Sequence, residues 1–206
     1  MVVETFTSLV SRYTQDRALS EKLYSELVKF YSERGRHYHN LSHLNSLLQQ
    51  ILPIADLLRD LDTVLFALYY HDAVYRVLRK DNEERSARLA QKRLTILNLD
   101  SNKIETCKQH ILATKTHGLS NDSDTNFFVD ADLSILGQDP LTYKRYAEGV
   151  RKEHTVYPDI IYKPGRKKVL EHFLQMKKIY KTEPFFAKFE SQARINLERE
   201  LKELLP

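Results

Sequence analysis

Histidines and carboxylates able to bind a cation recur along this chain at the ends of apolar, helix-like runs. The stretch Phe66-Ala67-Leu68-Tyr69-Tyr70-His71-Asp72-Ala73-Val74-Tyr75 begins as an apolar helix and ends in an adjacent histidine and aspartate. Burying an ionisable pair costs free energy unless something satisfies it. A divalent ion satisfies both groups, since imidazole and carboxylate suit Mn, Fe, Co, Ni, Zn or Mg. The plainer reading of His71-Asp72 alone is a helix C-terminus with a buried histidine and a solvated aspartate. Upstream lies Arg36-His37-Tyr38-His39-Asn40-Leu41-Ser42-His43-Leu44, in which His39 and His43 share a helical face if the helix has begun by then. Downstream, Glu83 starts an otherwise apolar stripe of Ala87, Ala90, Leu94 and Leu97. In Phe127–Gly137, Asp132 falls inside the stripe of Phe128, Ala131, Ile135 and Leu136, while Asp130 falls outside it.

Two imidazoles and two carboxylates, His43, His71, Asp72 and Asp132, are enough to hold one divalent ion and leave coordination positions open. An open position distinguishes a catalytic site from a structural one. Water bound to such an ion has a lowered pKa and can attack phosphorus, and a second ion bridged by Asp72 would sit roughly 3.5–4 Å from the first. Around this set stand Arg36, Tyr75, Arg79, Lys115 and His117 as candidate contacts for a substrate phosphate. A solvated cation, or a histidine favoured by a helix C-terminus, is the plainer reading of several of these. His110 reads as a partly buried histidine, and His37, His154 and His172 as structural.

The elements that must position these groups are helices. Phe6, Leu9, Val10 and Tyr13 have helical spacing, and Leu23, Leu27, Phe30 and Tyr31 place a second helix over about 20–33. Leu47, Leu48 and Ile51 continue the stripe of His43 as far as Pro53. A helix from about Leu57 or Asp62 runs to Asp72, and 74–81 reads as a loop. Asp81-Asn82-Glu83-Glu84 opens the next helix with favourably placed acids. Ser101 or Asn102 is expected to cap the one after, and Gly118 to stop it. Asp122 to Asn126 reads as a polar loop and Phe127–Gly137 as a helix. Pro140 starts a helix to about Glu153, Tyr157 to Gly165 is a loop, and two helices follow over roughly 166–180 and 184–203. No strand-like alternation is present. The expectation is an all-α protein of one domain, 1–206, with a metal-site core over about 36–137 and C-terminal helices over about 140–206 packed on it.

Composition narrows the classes further. In 206 residues, 42% are hydrophobic and 29% charged, which suits a globular chain. The net charge of +4 is too mild to imply nucleic acid. The basic cluster Lys163, Arg166, Lys167, Lys168, Lys177, Lys178 and Lys181 lacks interleaved base-stacking aromatics, so it reads as a solvated helical face. Cys107 is the only cysteine, which excludes an internal disulfide and a thiolate zinc cage and points to a reducing compartment. The N-terminus has no signal-peptide pattern, and no run of about 18 apolar residues exists to span a membrane. The expected location is the cytoplasm, with no membrane partner and no specific nucleic acid.

The order His43, His71-Asp72, Asp132 resembles the H…HD…D pattern of the HD-domain superfamily of metal-dependent phosphohydrolases, whose ligands ride on the helices of an all-α bundle. Tyr38-His39-Asn40-Leu41-Ser42-His43 is similar to the YHNxxH stretch of cyclic-nucleotide phosphodiesterases in that superfamily. The resemblance implies that His43 is a ligand and His39 the acid that protonates the leaving oxygen. Arg36-x-Tyr38-His39-Asn40-x-x-His43-Leu44, His71-Asp72-x-Val74-Tyr75, Asp81-Asn82-Glu83-x-x-Ser86-Ala87 and Asp130-Ala131-Asp132-Leu133-x-Ile135-Leu136-Gly137 together look closer still to a small bacterial family of HD-type hydrolases spanning nearly the whole chain. Tyr75 stands where cyclic-nucleotide phosphodiesterases have a further histidine, and Tyr75-Arg76 stand where alarmone hydrolases have Glu-Asp. The HHExxDGxGYP stretch of cyclic-di-GMP hydrolases is absent.

The resemblance thus implies a metal-dependent phosphohydrolase acting on a nucleotide or another small phosphorylated metabolite. One divalent ion, or two, would be held by His43, His71, Asp72 and Asp132, with Glu83 orienting the water. A homodimer fits the same reading. The rival reading is a non-catalytic sensor that binds a nucleotide or phosphorylated metabolite in the same pocket. A third, weaker one is a nucleic-acid binder using the 163–181 cluster.

Overall fold

A computed structural model describes residues 1–204 of the chain. Among them are ten α-helices, two 3₁₀ segments and no strand, so the protein is all-α. None of the described helices is long and apolar enough to cross a membrane. The backbone divides into two compact units, Met1–Val129 and the part from Asp130 onward.

The first unit contains α1 (Val2–Ser11), α2 (Arg17–Tyr31), α3 (Leu41–Ile51), a 3₁₀ segment (Leu52–Leu57), α4 (Leu61–Tyr70), α5 (Asn82–Ile96), α6 (Ser101–Ala113) and most of α7 (Ser123–Leu133). Several helices start at a side-chain cap, which satisfies an amide that would otherwise lack a partner. Asp16 accepts from the Leu19 amide at 3.0 Å, Asn40 from Ser42 at 2.9 Å, Asp60 from Thr63 at 3.2 Å and Asp100 from Asn102 at 2.8 Å. Helix α4 is the centre of this unit. Every residue from Thr63 to Tyr70 is buried, as expected of a helix that is apolar all round, and α1, α3, α5 and α6 pack against it.

The second unit contains a 3₁₀ segment (Ser134–Gly137), α8 (Pro140–Glu153), α9 (Asp159–Gln175) and α10 (Glu183–Leu204). Asn196 on α10 donates from Nδ2 to the carbonyls of Leu136 (2.9 Å) and Gln138 (2.8 Å), tying the helix to the 3₁₀ segment. Gly137 lies so close to α10 that a Cβ there would stand 2.5 Å from the Phe189 Cβ and 2.6 Å from its carbonyl oxygen.

Several boundaries differ from those the sequence predicts: the helix expected over 127–137 gives way to the 3₁₀ segment after Leu133, and α9 ends at Gln175 instead of about 180. Asp100, not Ser101 or Asn102, caps α6. Helix α7 starts at Ser123, inside the expected polar loop, because Asp122 accepts from the Thr125 amide and hydroxyl at 2.8 and 2.7 Å. Residue His117, not Gly118, takes the left-handed conformation beyond α6, with φ of 51°. Helix α9 begins at Asp159 and runs through Pro164 and Gly165. A proline at that position removes the hydrogen bond to the carbonyl four residues back. That carbonyl belongs to Ile160, a residue 83% exposed, where water can take the bond.

Candidate metal centre

The end of α4 sets the geometry. His71 closes the helix, its amide bonded to Ala67 O at 2.8 Å. Its Nδ1 lies 2.8 Å from Leu68 O. A carbonyl can only accept, so Nδ1 carries the ring proton and a neutral His71 presents a bare lone pair at Nε2. That nitrogen is 3.2 Å from His43 Nε2 and 3.0 Å from Asp72 Oδ2. His43 sits in the first turn of α3, placed there by the Asn40 cap, and is 4% exposed. Its Nε2 is 3.8 Å from the same Asp72 oxygen. Burial pushes the Asp72 carboxyl up, but the imidazoles of His71, His39 and His43 in their charged forms outweigh it and hold the group well below the usual carboxylate range, a place that positive charge, on the rings or on a bound cation, favours.

Helix α7 begins in the first unit and runs on without a break to Asp132 and Leu133. Phe128 sets its edge against the His71 ring at 5.7 Å, and Asp132 follows one turn later on the same helix. His43, His71 and Asp132 each offer a ligand atom, all within 4.8 Å of one another, and this group could hold a metal ion. His43 and His71 are buried and Asp132 is half-buried. The donors are imidazole nitrogen and carboxylate oxygen, the set that first-row divalent metals take. A ligating histidine whose other ring N–H is fixed by a backbone carbonyl is the arrangement such sites use.

His39 precedes the first turn of α3 rather than sharing its face. Its Nε2 is 3.9 Å from Asp72 Oδ2, its side chain is 20% exposed, and its ring stacks on Tyr75 at 4.3 Å. Arg36, expected among the substrate contacts, instead gives its guanidinium to three backbone carbonyls: His39 O at 2.9 Å, Asp72 O at 2.7 Å and Ala73 O at 2.9 Å. The same guanidinium lies against the rings of Tyr31 (5.1 Å) and Tyr75 (5.6 Å). Arg36 therefore pins the His39 backbone to the turn that carries Asp72.

Glu83 and Lys115 lie where the first turn of α5 meets the far end of α6. The Lys115 ammonium bonds to the Glu84 carboxylate and to Lys80 O (2.9 Å), and the Glu83 charge also bears on it. His117 follows two residues later, half-buried, its amide on Ala113 O at 2.9 Å. Arg79 lies 3.8 Å from Asp81.

Two residues have roles that spacing did not reveal. Tyr31 reads as a core residue of α2, yet its hydroxyl donates to Tyr69 O (3.1 Å) and accepts from the Asp72 amide (3.3 Å), fixing the turn between the two ligand-bearing residues. Asp130, placed outside the apolar stripe, is fully buried. It accepts from the amides of Lys181 and Thr182 and from the Thr182 hydroxyl, at 2.7–2.9 Å. A buried carboxylate in an apolar stripe and one serving a distant chain segment look alike in sequence, because the difference lies in a partner some 50 residues away.

Compared with protein-family models, with curated proteins and with solved structures, the chain matches none.

Proposed function

We propose that this protein is a metal-dependent phosphohydrolase of the HD-domain type, acting on a nucleotide or other small phosphorylated metabolite. The observation that carries the reading is the bare Nε2 of His71, 3.0 Å from a carboxylate oxygen and 3.2 Å from a second imidazole nitrogen. A divalent cation would satisfy these donor atoms together, where ring protons could satisfy only some of them. Asp132 adds a further oxygen to the same group. A divalent ion held there supplies Lewis-acid chemistry, acidifying water and drawing charge from phosphoryl oxygens.

The chain's own residues do the rest. His71 is held in one tautomer by Leu68 O, so its lone pair points inward without any rearrangement. His39 is the half-exposed member of the group, within reach of Asp72 yet open to a substrate. In its protonated form it is placed to give a proton to the departing oxygen, the role of a general acid. Tyr75, stacked on that ring, keeps the imidazole in orientation. The guanidinium of Arg36 fixes the backbone beneath both His39 and Asp72. Glu83, in the first turn of α5, is the candidate to orient water.

Elemental analysis of freshly purified protein beside the Asp132→Ala and His39→Ala variants tests this. The expected result is one or two equivalents of a first-row divalent metal or Mg in the native chain and in His39→Ala, lost in Asp132→Ala. Turnover in a phosphate-ester screen should fail in both variants. Metal that is retained with no ester cleaved would overturn the hydrolase and leave a binding module.

A further inference from the structure

A second feature lies wholly within the unit from Asp130 onward. Helices α8, α9 and α10 line a half-open cleft of about 800 Å³, a volume within the range of small-molecule sites. It goes beyond the metal centre, since none of its lining residues belongs to that group.

The floor of the cleft is polar and fixed. Glu200 accepts from Arg166 Nε at 2.7 Å and Nη2 at 2.9 Å and from the Tyr143 hydroxyl. The Arg166 and Glu200 side chains are only 6% and 12% exposed. A desolvated ion pair of this kind is weak support for stability, since desolvation offsets most of the attraction. Its effect here is to leave a rigid, already neutralised base beneath an open space. One wall is aromatic. Tyr162 has the Arg151 guanidinium over its ring at 4.5 Å, and Tyr162 and Tyr143 both line the cleft. Arg151 is itself engaged by Asp159 at 2.7 Å.

Of the remaining cations, Arg199 also lines the cleft and donates to Asn196 Oδ1 at 2.7 Å; the two lysines are placed differently. Lys144 on α8 and Lys163 on α9 both line the cleft and are exposed. Neither forms an ion pair among the described residues, whereas Lys103, Lys108, Lys115 and Lys167 all do. Glu148 and Glu203 line the same cleft, so the cleft as a whole does not attract anions. Any selection for negative charge must act locally, at the two lysines.

We propose that this cleft binds a small planar aromatic anion, its ring against Tyr162, the half-buried one of the two tyrosines, and its charged group at Lys144 and Lys163. An aromatic carboxylate and a nucleoside monophosphate share that chemistry. The test is fluorescence titration of the full-length native chain with anilinonaphthalene sulfonate, followed by competition with benzoate and with adenosine monophosphate. One saturable site is expected. Affinity should fall about tenfold in the Lys144→Glu/Lys163→Glu double variant and be abolished by Ala147→Trp, which fills the cleft. Circular dichroism checks the fold; both lysines are exposed, so the double variant decides if the tryptophan disrupts packing. Displacement by adenosine monophosphate marks a phosphate-bearing ligand and displacement by benzoate a carboxylate; displacement by neither overturns the proposal, as does affinity unchanged in the double variant. The titration is repeated with EDTA and in His43→Ala. Unchanged binding there keeps this result separate from that of the metal centre.

Discussion

Arg36, a candidate substrate contact in the sequence, is built into the scaffold beneath the site. Its guanidinium meets three carbonyls, two of them on residues of the candidate site, and two tyrosine rings. Arg36→Ala strips partners from part-buried carbonyls and should lower unfolding free energy by roughly 2–4 kcal/mol, read by urea denaturation. A change of less than about 0.5 kcal/mol, the range of ordinary surface positions, would return Arg36 to the list of substrate contacts. His110 offers a prediction in pH. It is fully buried, with Nδ1 donating to Thr125 Oγ1 at 2.8 Å, and burial lowers its pKa, only partly offset by Asp122, Asp124 and Asp60. Below about pH 6.5 the unfolded chain takes up a proton at this residue before the folded one does. Stability contributed by the neutral ring is therefore present at higher pH and lost as pH falls from about 6.5 toward the folded value. The melting temperature of His110→Gln should accordingly approach that of the native chain between pH 7.5 and pH 5, and a constant gap would count against it.

At the scale of elements, the helices that carry a strong apolar stripe were legible and the short connections were not. Helix α4 is the clear case, since Val64 to Tyr70 can only be interior. Helices α5 and α8 begin close to where Asp81-Asn82 and Pro140 suggest. The starts of α7 and α9 were hidden because polar and proline-bearing residues, Asp122 and Pro164, signal loops equally well; only an Asx-type bond in one case and an exposed carbonyl in the other decide for helix. Gly137 is legible only in three dimensions. Gly137→Ala would drive a methyl group into the α10 backbone at Phe189 and should cost about 1–3 kcal/mol or more, measured as loss of unfolding free energy. Phe189→Leu in the same background would give little relief, because the contact includes main-chain atoms.

For the whole molecule, the candidate site was more legible than its support. His43, His71, Asp72 and Asp132 stood out because ionisable residues on apolar helix faces need a reason. His39 came only through the YHNxxH resemblance, and Tyr31 not at all, since a core tyrosine and a structural hydroxyl have one sequence signature. Because ligand binding to the folded state raises global stability by linkage, metal should be visible without any substrate. Manganese at about a thousand times its dissociation constant would add about 4 kcal/mol, roughly 10 °C for a chain of this size, in thermal melts of the native protein. The same addition should leave His43→Ala unmoved. The ligand-bearing end of α4 grows out of a helix buried from Thr63 to Tyr70, so substitutions there are screened first for folding and only afterwards for chemistry. The exposed tip of the loop over 74–81, Leu78 to Lys80, is not held by burial in that way. A library meant to retarget the protein to a new substrate belongs on that loop, and variation among natural versions of the chain should concentrate there while the helix beneath stays fixed.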